Sequence, residues 1–300
     1  MTQLLAVDWG TSSLRAALLD AQGQVLAEHA SPRGILAVAP GEFAPVLIAI
    51  NDLLTRGSGT FCLISGMAGS RQGWQEAPYC PCPAGFADIA SRLAWIADAP
   101  PGLRVAIVPG LSDETGGTPD VMRGEETQVF GALDLLGLRN GRFVLPGTHS
   151  KWVRVADGRI QGFRTFMTGE FYALLRSHSI LARTLPDADG ALDEAAFLQG
   201  VAQAQRSANL LHAAFSTRTL SLFDRLPAAA LPSYLSGLVI GEELRSQALA
   251  GLQEPVVVIG AGALTERYAL ALQSLGAACS RVGPEATWRG LWAIAQTLET

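Results

Sequence analysis

Short apolar runs separated by polar turns occupy the first 30 residues and recur in the middle of the chain. The predicted strands are residues 4–8, 14–20 and 25–30 in the first segment and residues 143–145, 151–156 and 159–163 in the second. Turn residues such as Asp157-Gly158 separate the runs, so each segment predicts a three-stranded meander. Two meanders in one chain indicate two related domains.

The rest of the chain alternates between strand and helix patterns, which is typical of an α/β fold. We expect further strands at residues 61–65, 104–108 and 256–259, and helices at residues 45–54, 86–96, 263–275 and from Glu125 onwards. A stretch rich in Ala, Leu and Gln at about 171–250 predicts several helices, interrupted at Pro186, Pro227 and Pro232. The polar segment 112–120 predicts a connector, which places the domains at 1–112 and 113–300.

Composition narrows the class of protein. Of the 300 residues 49% are hydrophobic and 16% are charged, which is typical of a folded globular chain. The net charge of -5 argues against a nucleic-acid partner. The N-terminus has no secretory pattern and no stretch has the roughly 18–20 apolar residues of a membrane span. The four cysteines do not have the spacing of a zinc-binding motif, so we expect reduced thiols in a cytoplasmic protein.

The first turn of each meander carries the same short motif. Gly10-Thr11-Ser12-Ser13 and Gly147-Thr148-His149-Ser150 both read Gly-Thr-x-Ser. Glycine lets the backbone approach a ligand, the hydroxyls donate, and consecutive turn amides bind anions, so two such turns suit a polyphosphate. Lys151, the only lysine among 22 Lys and Arg residues, follows the second turn. The number of lysines alone leaves open whether Lys151 is a surface residue or a functional one.

A second glycine motif, Gly260-Ala261-Gly262, follows the predicted strand at 256–259. It has two interpretations, a dinucleotide-binding turn or a turn beside adenosine. A dinucleotide motif usually opens its domain and has an acid about 20 residues later, and neither feature is present here. No GxxxxGK[ST] motif occurs, which excludes a P-loop enzyme.

The duplicated meander, with Asp8 at the end of the first strand, resembles the actin-like ATPase and sugar-kinase superfamily. The resemblance implies two duplicated ribonuclease H-like domains with ATP in the cleft between them. It implies that Asp8 holds Mg²⁺ and that Gly260 and Gly262 flank adenosine. The residues that it implies for phosphate binding are Gly10, Thr11, Ser12, Ser13, Gly147, Thr148, His149 and Lys151.

Five blocks in order along the chain resemble the 2-dehydro-3-deoxygalactonokinase family. They are residues 8–10, 65–74, 121–128 (VMRGEETQ), 145–152 (LPGTHSKW) and 166–170. The resemblance implies ATP-dependent phosphorylation of the 6-hydroxyl of 2-dehydro-3-deoxy-D-galactonate in galactonate breakdown. The cofactors implied are ATP and Mg²⁺.

A sugar kinase needs a base for the substrate hydroxyl and charge stabilisation on the phosphoryl group. The resemblance puts the base at Glu125 or Glu126, and we favour Glu125, although relatives usually have Asp there. Both acids have an ordinary alternative role, because carboxylates in a first helical turn are stabilised by the helix dipole.

The substrate carboxylate calls for a guanidinium partner. The candidates are Arg15, Arg71 and Arg123, of which Arg15 also fits an outward-facing strand position. Ser70 and Trp74 lie in the glycine-rich loop after the strand at 61–65, and we expect them at the sugar pocket. Packing against the core is the alternative for Trp74.

Two other functions stay open at the level of the sequence. One is a kinase of another acidic sugar on the same fold, and the other is a non-catalytic actin-like ATP-binding regulator. Lys151 is expected to contact either the reacting phosphate or the substrate carboxylate. The partner expected is a small keto-deoxy sugar acid, and a homodimer is left open.

Overall fold

A computed structural model of the chain describes residues 2–55, 60–249, 251–252 and 254–298. Met1, Thr300 and Ala250, which end predicted segments, lie outside these residues. The strands are β1 (Gln3–Trp9), β2 (Leu14–Asp20), β3 (Val25–Ser31), β4 (Phe61–Gly66), β5 (Cys80–Pro81), β6 (Ala94–Trp95), β7 (Arg104–Ile107), β8 (Leu111–Asp113), β9 (Asp120–Met122), β10 (Gly141–Leu145), β11 (Ser150–Ala156), β12 (Arg159–Phe166), β13 (Val256–Ile259) and β14 (Cys279–Val282). The α-helices are α1 (Phe43–Thr55), α2 (Phe86–Ala90), α3 (Glu125–Leu136), α4 (Thr168–His178), α5 (Glu194–Arg206), α6 (Leu210–Ala213), α7 (Ser216–Leu222), α8 (Leu231–Arg245), α9 (Gly262–Ser274) and α10 (Glu285–Gln296).

Two sheets repeat one strand order. The first is β3-β2-β1-β4-β7, extended at its edge by β6, and the second is β12-β11-β10-β13-β14. Each sheet opens with a meander whose first strand lies beside a strand from later in the chain. This repeated order confirms the predicted pair of ribonuclease H-like folds. A small third sheet has the order β5-β8-β9.

The register of the first sheet brings polar residues together at one edge. β1 pairs in parallel with β4, which places Asp8 beside Ser65, and in antiparallel with β2, which places Asp8 opposite Arg15. The carboxyl ends of parallel strands meet at the same edge of a sheet, and ligands commonly bind there. The first turn, which follows Trp9, therefore starts at this edge.

The chain divides into two compact units. Unit 1 is Met1–Phe143, Val153–Arg164 and Val282–Thr300, and unit 2 is Val144–Trp152 and Thr165–Arg281. The division crosses strands β10, β11 and β12, so both units contain parts of those strands. Each unit has its own apolar cluster. The domain boundary after residue 112 stays a prediction.

Within unit 1, helices α3 and α10 pack backbone against backbone. A Cβ on Gly131 would lie 1.7 Å from the Ala286 carbonyl oxygen, and one on Gly290 would lie 1.9 Å from that of Thr127. Only glycine, which has no Cβ, allows two helix backbones to approach this closely. The pair fixes the first turns of α3, which carry Glu125 and Glu126.

Three sequence predictions need correction. The helix predicted at 86–96 ends at Ala90, because Ala94 and Trp95 pair antiparallel with β7 and take sheet hydrogen bonds instead. Much of the polar segment 112–120 belongs to the β8–β9 hairpin rather than to a free connector. Pro232 lies in the first turn of α8, where proline is tolerated, so it begins a helix instead of interrupting one. No described helix has both the length and the apolar character needed to cross a membrane.

Candidate active site

In unit 1, Asp8 is already paired with a guanidinium. Arg15 donates to Asp8 Oδ2 from Nη2 at 2.5 Å and from Nε at 3.2 Å, and the Asp8 side chain is 20% exposed. The Arg15 guanidinium also lies 5.6 Å from the ring centre of Trp288. Asp8 is thus a charge-balanced carboxylate that a ligand can still reach.

The start of α3 lies against the same edge of the sheet. A Cβ on Gly124 would lie 3.4 Å from Gly66 Cα, and a Cβ on Gly66 would lie 3.4 Å from Asp8 Oδ1. The hydroxyls of Ser65 and Thr127 are hydrogen-bonded at 2.9 Å. Gly124 has a φ of 105°, which lets the chain turn sharply into the helix. Asp8 and the first turn of α3 are therefore neighbours.

The two candidate bases differ sharply in their surroundings. Glu126 is fully buried, and its Oε2 accepts from the Gly124 amide at 2.7 Å. Burial, reinforced by the neighbouring Glu125 charge, raises the pKa of Glu126 to about 8, so Glu126 carries a proton at neutral pH. Glu125 is only half-buried and accepts from the Arg123 amide at 3.0 Å. Of the two, Glu125 is the carboxylate within reach of a ligand.

The glycine-rich loop after β4 gives its candidates different settings. The Trp74 ring stacks on Phe43 at 6.1 Å and meets Trp9 edge-on at 6.4 Å. This favours the packing alternative for Trp74 over direct sugar contact. The Arg71 side chain is 87% exposed and pairs with Glu76 at 3.1 Å, which is typical of a surface ion pair.

Arg123 is the candidate guanidinium with unmet hydrogen-bonding capacity. Its Nη2 donates to the Ala77 carbonyl at 2.8 Å, and its guanidinium lies 4.5 Å from the Tyr79 ring centre. Its Nε and Nη1, and the hydroxyl of Ser70, are buried without a partner among the described residues. A Cβ on Gly69 would lie 2.8 Å from Arg123 Nη1, so the guanidinium is pressed against the loop that carries Ser70. Buried donors without acceptors are costly, roughly 1–3 kcal/mol each, and often mark a ligand site.

The first Gly-Thr-x-Ser turn is held by its backbone. Gly10 N donates to Ser13 O at 2.9 Å, and Ile35 N donates to Gly10 O at 3.0 Å. The side chains of Thr11, Ser12 and Ser13 are exposed. The turn therefore keeps its shape while its hydroxyls remain available to a ligand.

The second turn, in unit 2, is supported by the start of α4. Glu170 N donates to Thr148 O at 3.1 Å, and the Glu170 carboxylate lies 2.5 Å from His149 Nε2. Thr148 and His149 are exposed, whereas Ser150 is fully buried. Lys151 is only 5% exposed, which rules out the surface interpretation of this lysine.

Glu243, which the sequence did not identify, lies beneath the second turn. It is 2% exposed. Its Oε1 accepts from the Ser150 hydroxyl at 2.7 Å and from Trp152 Nε1 at 2.6 Å, and its Oε2 accepts from the hydroxyls of Thr168 and of Tyr268, the latter at 2.6 Å. Burial raises the pKa of Glu243, and the four donors oppose that shift. A signal was present, since Glu243 follows the buried Leu235 and Val239 at four-residue spacing in α8.

The third glycine turn links β13 to α9 in unit 2. Gly260 and Gly262 have φ angles of 142° and 74°, which disfavour residues with a side chain. Gly262 is exposed and opens α9, so its turn presents a helix N-terminus. This strand–turn–helix arrangement is as predicted, and its role beside adenosine stays a prediction.

No group of three or more His, Cys, Asp or Glu side chains with the arrangement of a metal site occurs among the described residues. Magnesium bound with a nucleotide needs fewer protein ligands, because one or two carboxylates act together with phosphates and water. Asp8 has the position and the partial exposure for that role.

Comparison with known proteins gives a consistent result over almost the full length. Residues 8–294 match the family described as 2-keto-3-deoxy-galactonokinase. The chain is 40% identical to a probable 2-dehydro-3-deoxygalactonokinase of Rhizobium meliloti, over 98% of this chain and 96% of that one. It is 33% identical to the 2-dehydro-3-deoxygalactonokinase of Escherichia coli, over 98% of both chains. A crystal structure of a putative 2-dehydro-3-deoxygalactonokinase from Sinorhizobium meliloti superposes with a TM-score of 0.92 at 39% identity, covering 98% of this chain and 99% of that one.

Proposed function

Because the chain belongs to the 2-keto-3-deoxy-galactonokinase family, we propose that it transfers the γ-phosphoryl group of ATP to the 6-hydroxyl of 2-dehydro-3-deoxy-D-galactonate. The observation that carries this proposal is the meeting of Asp8 with the first turn of α3, which holds one reachable and one protonated carboxylate. Phosphoryl transfer asks little covalent chemistry of the protein and depends on positioning and charge. These residues supply both.

Glu125 acts as the general base in this proposal. It would accept the proton of the 6-hydroxyl while O6 bonds to the γ-phosphorus and the bond to the β–γ bridging oxygen breaks, which releases ADP. General-base catalysis contributes on the order of 10²–10⁴ in rate. Glu126, protonated at neutral pH by its burial, leaves Glu125 as the ionised member of the pair.

Arg123, with Ser70, binds the substrate carboxylate in this proposal. Arg15 is engaged by Asp8, and it borders an open cavity of about 520 Å³ that Glu28 and Glu285 also line, which disfavours an anion there. Arg71 is bound to Glu76 in solvent. Arg123 alone of the three has buried donors without acceptors, and a carboxylate would satisfy them.

Each turn has its own proposed contact with the nucleotide. In unit 1, the exposed hydroxyls of the first turn would hold phosphate oxygens. In unit 2, Thr148, His149 and Lys151 of the second turn would hold phosphate oxygens, and the turn at Gly260 and Gly262 would border adenosine. Asp8 would hold Mg²⁺, which when bound would neutralise charge on the phosphates. A cytoplasmic location belongs to the same proposal, since the four cysteines are free thiols.

The test is ADP release measured with a panel of acceptors: 2-dehydro-3-deoxy-D-galactonate, its C4 epimer, galactonate and galactose. Turnover should be fastest with the first compound. Preference for another acid would support a different acidic-sugar kinase, and preference for galactose would refute the proposal. ATP binding without turnover of any acceptor would favour a regulator.

Three variants test the residue roles. Glu125→Gln should lower kcat by about 10²–10⁴ with ATP affinity little changed, whereas normal turnover would contradict its role as base. Arg123→Lys should raise KM for the keto acid more than tenfold, because a lysine loses the bidentate geometry. Arg71→Lys is the matched control and should leave that KM unchanged. Equal effects of the two changes would contradict the assignment of Arg123.

A further inference from the structure

We infer that Glu243 is a positioning residue that fixes the second turn, residues 147–151, relative to helix α9 in unit 2. The inference rests on the proposed function, in which this turn holds phosphates of ATP. Glu243 itself is remote from solvent and is not offered as a ligand of the nucleotide. Its role is to set the shape of the turn before ATP arrives.

The four donors to Glu243 come from three elements. Ser150 and Trp152 belong to β11, directly after the exposed part of the turn, and Thr168 opens α4. Tyr268 belongs to α9, the helix that starts at the proposed adenosine turn. One carboxylate therefore ties the phosphate turn to the helix that follows Gly262.

The start of helix α4 also contacts the turn directly. A Cβ on Gly169 would lie 2.6 Å from the Gly147 carbonyl oxygen, so the start of α4 is pressed against the turn. Thr168, which holds Glu243, immediately precedes that glycine. A shift of the Thr168 contact would therefore move the backbone that supports Gly147 and Thr148.

A carboxylate suits this position better than an amide. Two oxygens can accept from four donors, and Trp152 Nε1 is able only to donate. Glutamine could keep its oxygen toward Trp152 and turn its NH₂ toward the hydroxyls of Thr168 and Tyr268, which would then need new acceptors. Glu243→Gln therefore preserves size and loosens the contacts to α4 and α9.

The experiment compares the full-length protein with Glu243→Gln and Tyr268→Phe, and uses Tyr234→Phe as a matched control. Tyr234 lies on α8, the helix that carries Glu243, and is 2% exposed; its hydroxyl is hydrogen-bonded to that of Ser216 and not to Glu243 among the described residues. Binding of a non-hydrolysable ATP analogue is measured by titration calorimetry, and kcat and both KM values by ADP release. All measurements are made well below each variant's unfolding temperature.

Glu243→Gln should weaken analogue binding and lower kcat, together by about 10- to 100-fold, with KM for the keto acid unchanged. Tyr268→Phe should also weaken analogue binding and lower kcat, by a smaller factor, and Tyr234→Phe should bind the analogue normally. A residue that merely stabilises the fold would lower the unfolding temperature and leave these constants intact, and that result would overturn the inference.

One outcome separates this inference from the proposed function, and a second variant covers a failure of Glu243→Gln to fold. If the wild-type protein binds the analogue but phosphorylates no keto acid, the proposed function fails while analogue binding still tests Glu243. If Glu243→Gln does not fold, Tyr268→Phe decides, and normal analogue affinity with normal kcat in that variant overturns the inference.

Discussion

The buried carboxyl of Glu126 should make the stability of the protein depend on pH in a predictable direction. Burial raises the folded-state pKa from 4.5 to about 8, so the folded state holds a proton that the unfolded state releases at much lower pH. A group of this kind stabilises the fold below its unfolded pKa, and that contribution is lost as pH rises through the folded pKa. The pH window is therefore from about 4.5 to about 8.

The size of the effect follows from the gap between the two pKa values. It corresponds to about 5 kcal/mol as an upper value, since each pH step in the window changes the free energy of unfolding by about 1.4 kcal/mol. Glu126→Gln removes the titration and keeps the shape. Its carbonyl oxygen can accept from the Gly124 amide, and its NH₂ can donate to the Thr127 hydroxyl.

The assay is urea unfolding of the wild type and Glu126→Gln at a series of pH values from 5 to 9. The free energy of unfolding of the variant should rise relative to the wild type up to about pH 8 and level off above it. Glu125→Gln is the control, because removing the neighbouring charge lowers the pKa of Glu126. In that variant the loss of stability with rising pH should end at a lower pH than in the wild type. Parallel pH curves for the wild type and Glu126→Gln would refute this account of the pair.

Two further predictions concern Lys151 and helix packing. Lys151→Arg keeps the charge but puts a longer, planar group at a site that is 5% exposed, so kcat should fall at least tenfold with the circular dichroism spectrum unchanged; normal kcat would show that charge alone suffices. Gly290→Ala should lower the free energy of unfolding by roughly 1–3 kcal/mol or more, because its methyl group would meet the Thr127 carbonyl. Gly116→Ala, which meets no atom within 4 Å, should be neutral in the same denaturation experiment.

Much of the fold was predictable because its signals are local. Alternating apolar runs and Asp157-Gly158 predict the meanders, and all six strands are present within a few residues. The helix predicted at 86–96 was wrong because its second half meets the edge of β7, and pairing with that strand outweighs local helix preference. Such competition between local and long-range hydrogen bonds is not visible in a short window of sequence.

The residues of the candidate site stay a prediction, and the sequence left the division of roles among them open. Glu125 and Glu126 are adjacent and chemically identical, so only the burial of Glu126, with its bonds from Thr127 and the Gly124 amide, distinguishes the two acids. The three arginines differ in the same way, since Arg15 and Arg71 find acidic partners and two nitrogens of Arg123 do not.

Glu243 shows a further reason why sequence reasoning fell short. Next to Glu242 it looks like half of a solvated pair, and only its spacing from Leu235 and Val239 points inward. Reading that spacing as functional would have required knowing that Ser150, 93 positions earlier, donates to it.

Ser150 in turn matched the motif of the first turn, whose serines are exposed, so the shared Gly-Thr-x-Ser pattern concealed a difference in use. The two turns differ in support: the first is held by main-chain bonds from 35–36, the second by a buried carboxylate and the start of α4. Substitutions beneath the second turn should therefore perturb nucleotide binding without touching the nucleotide, and the first turn has no equivalent carboxylate among the contacts described for it.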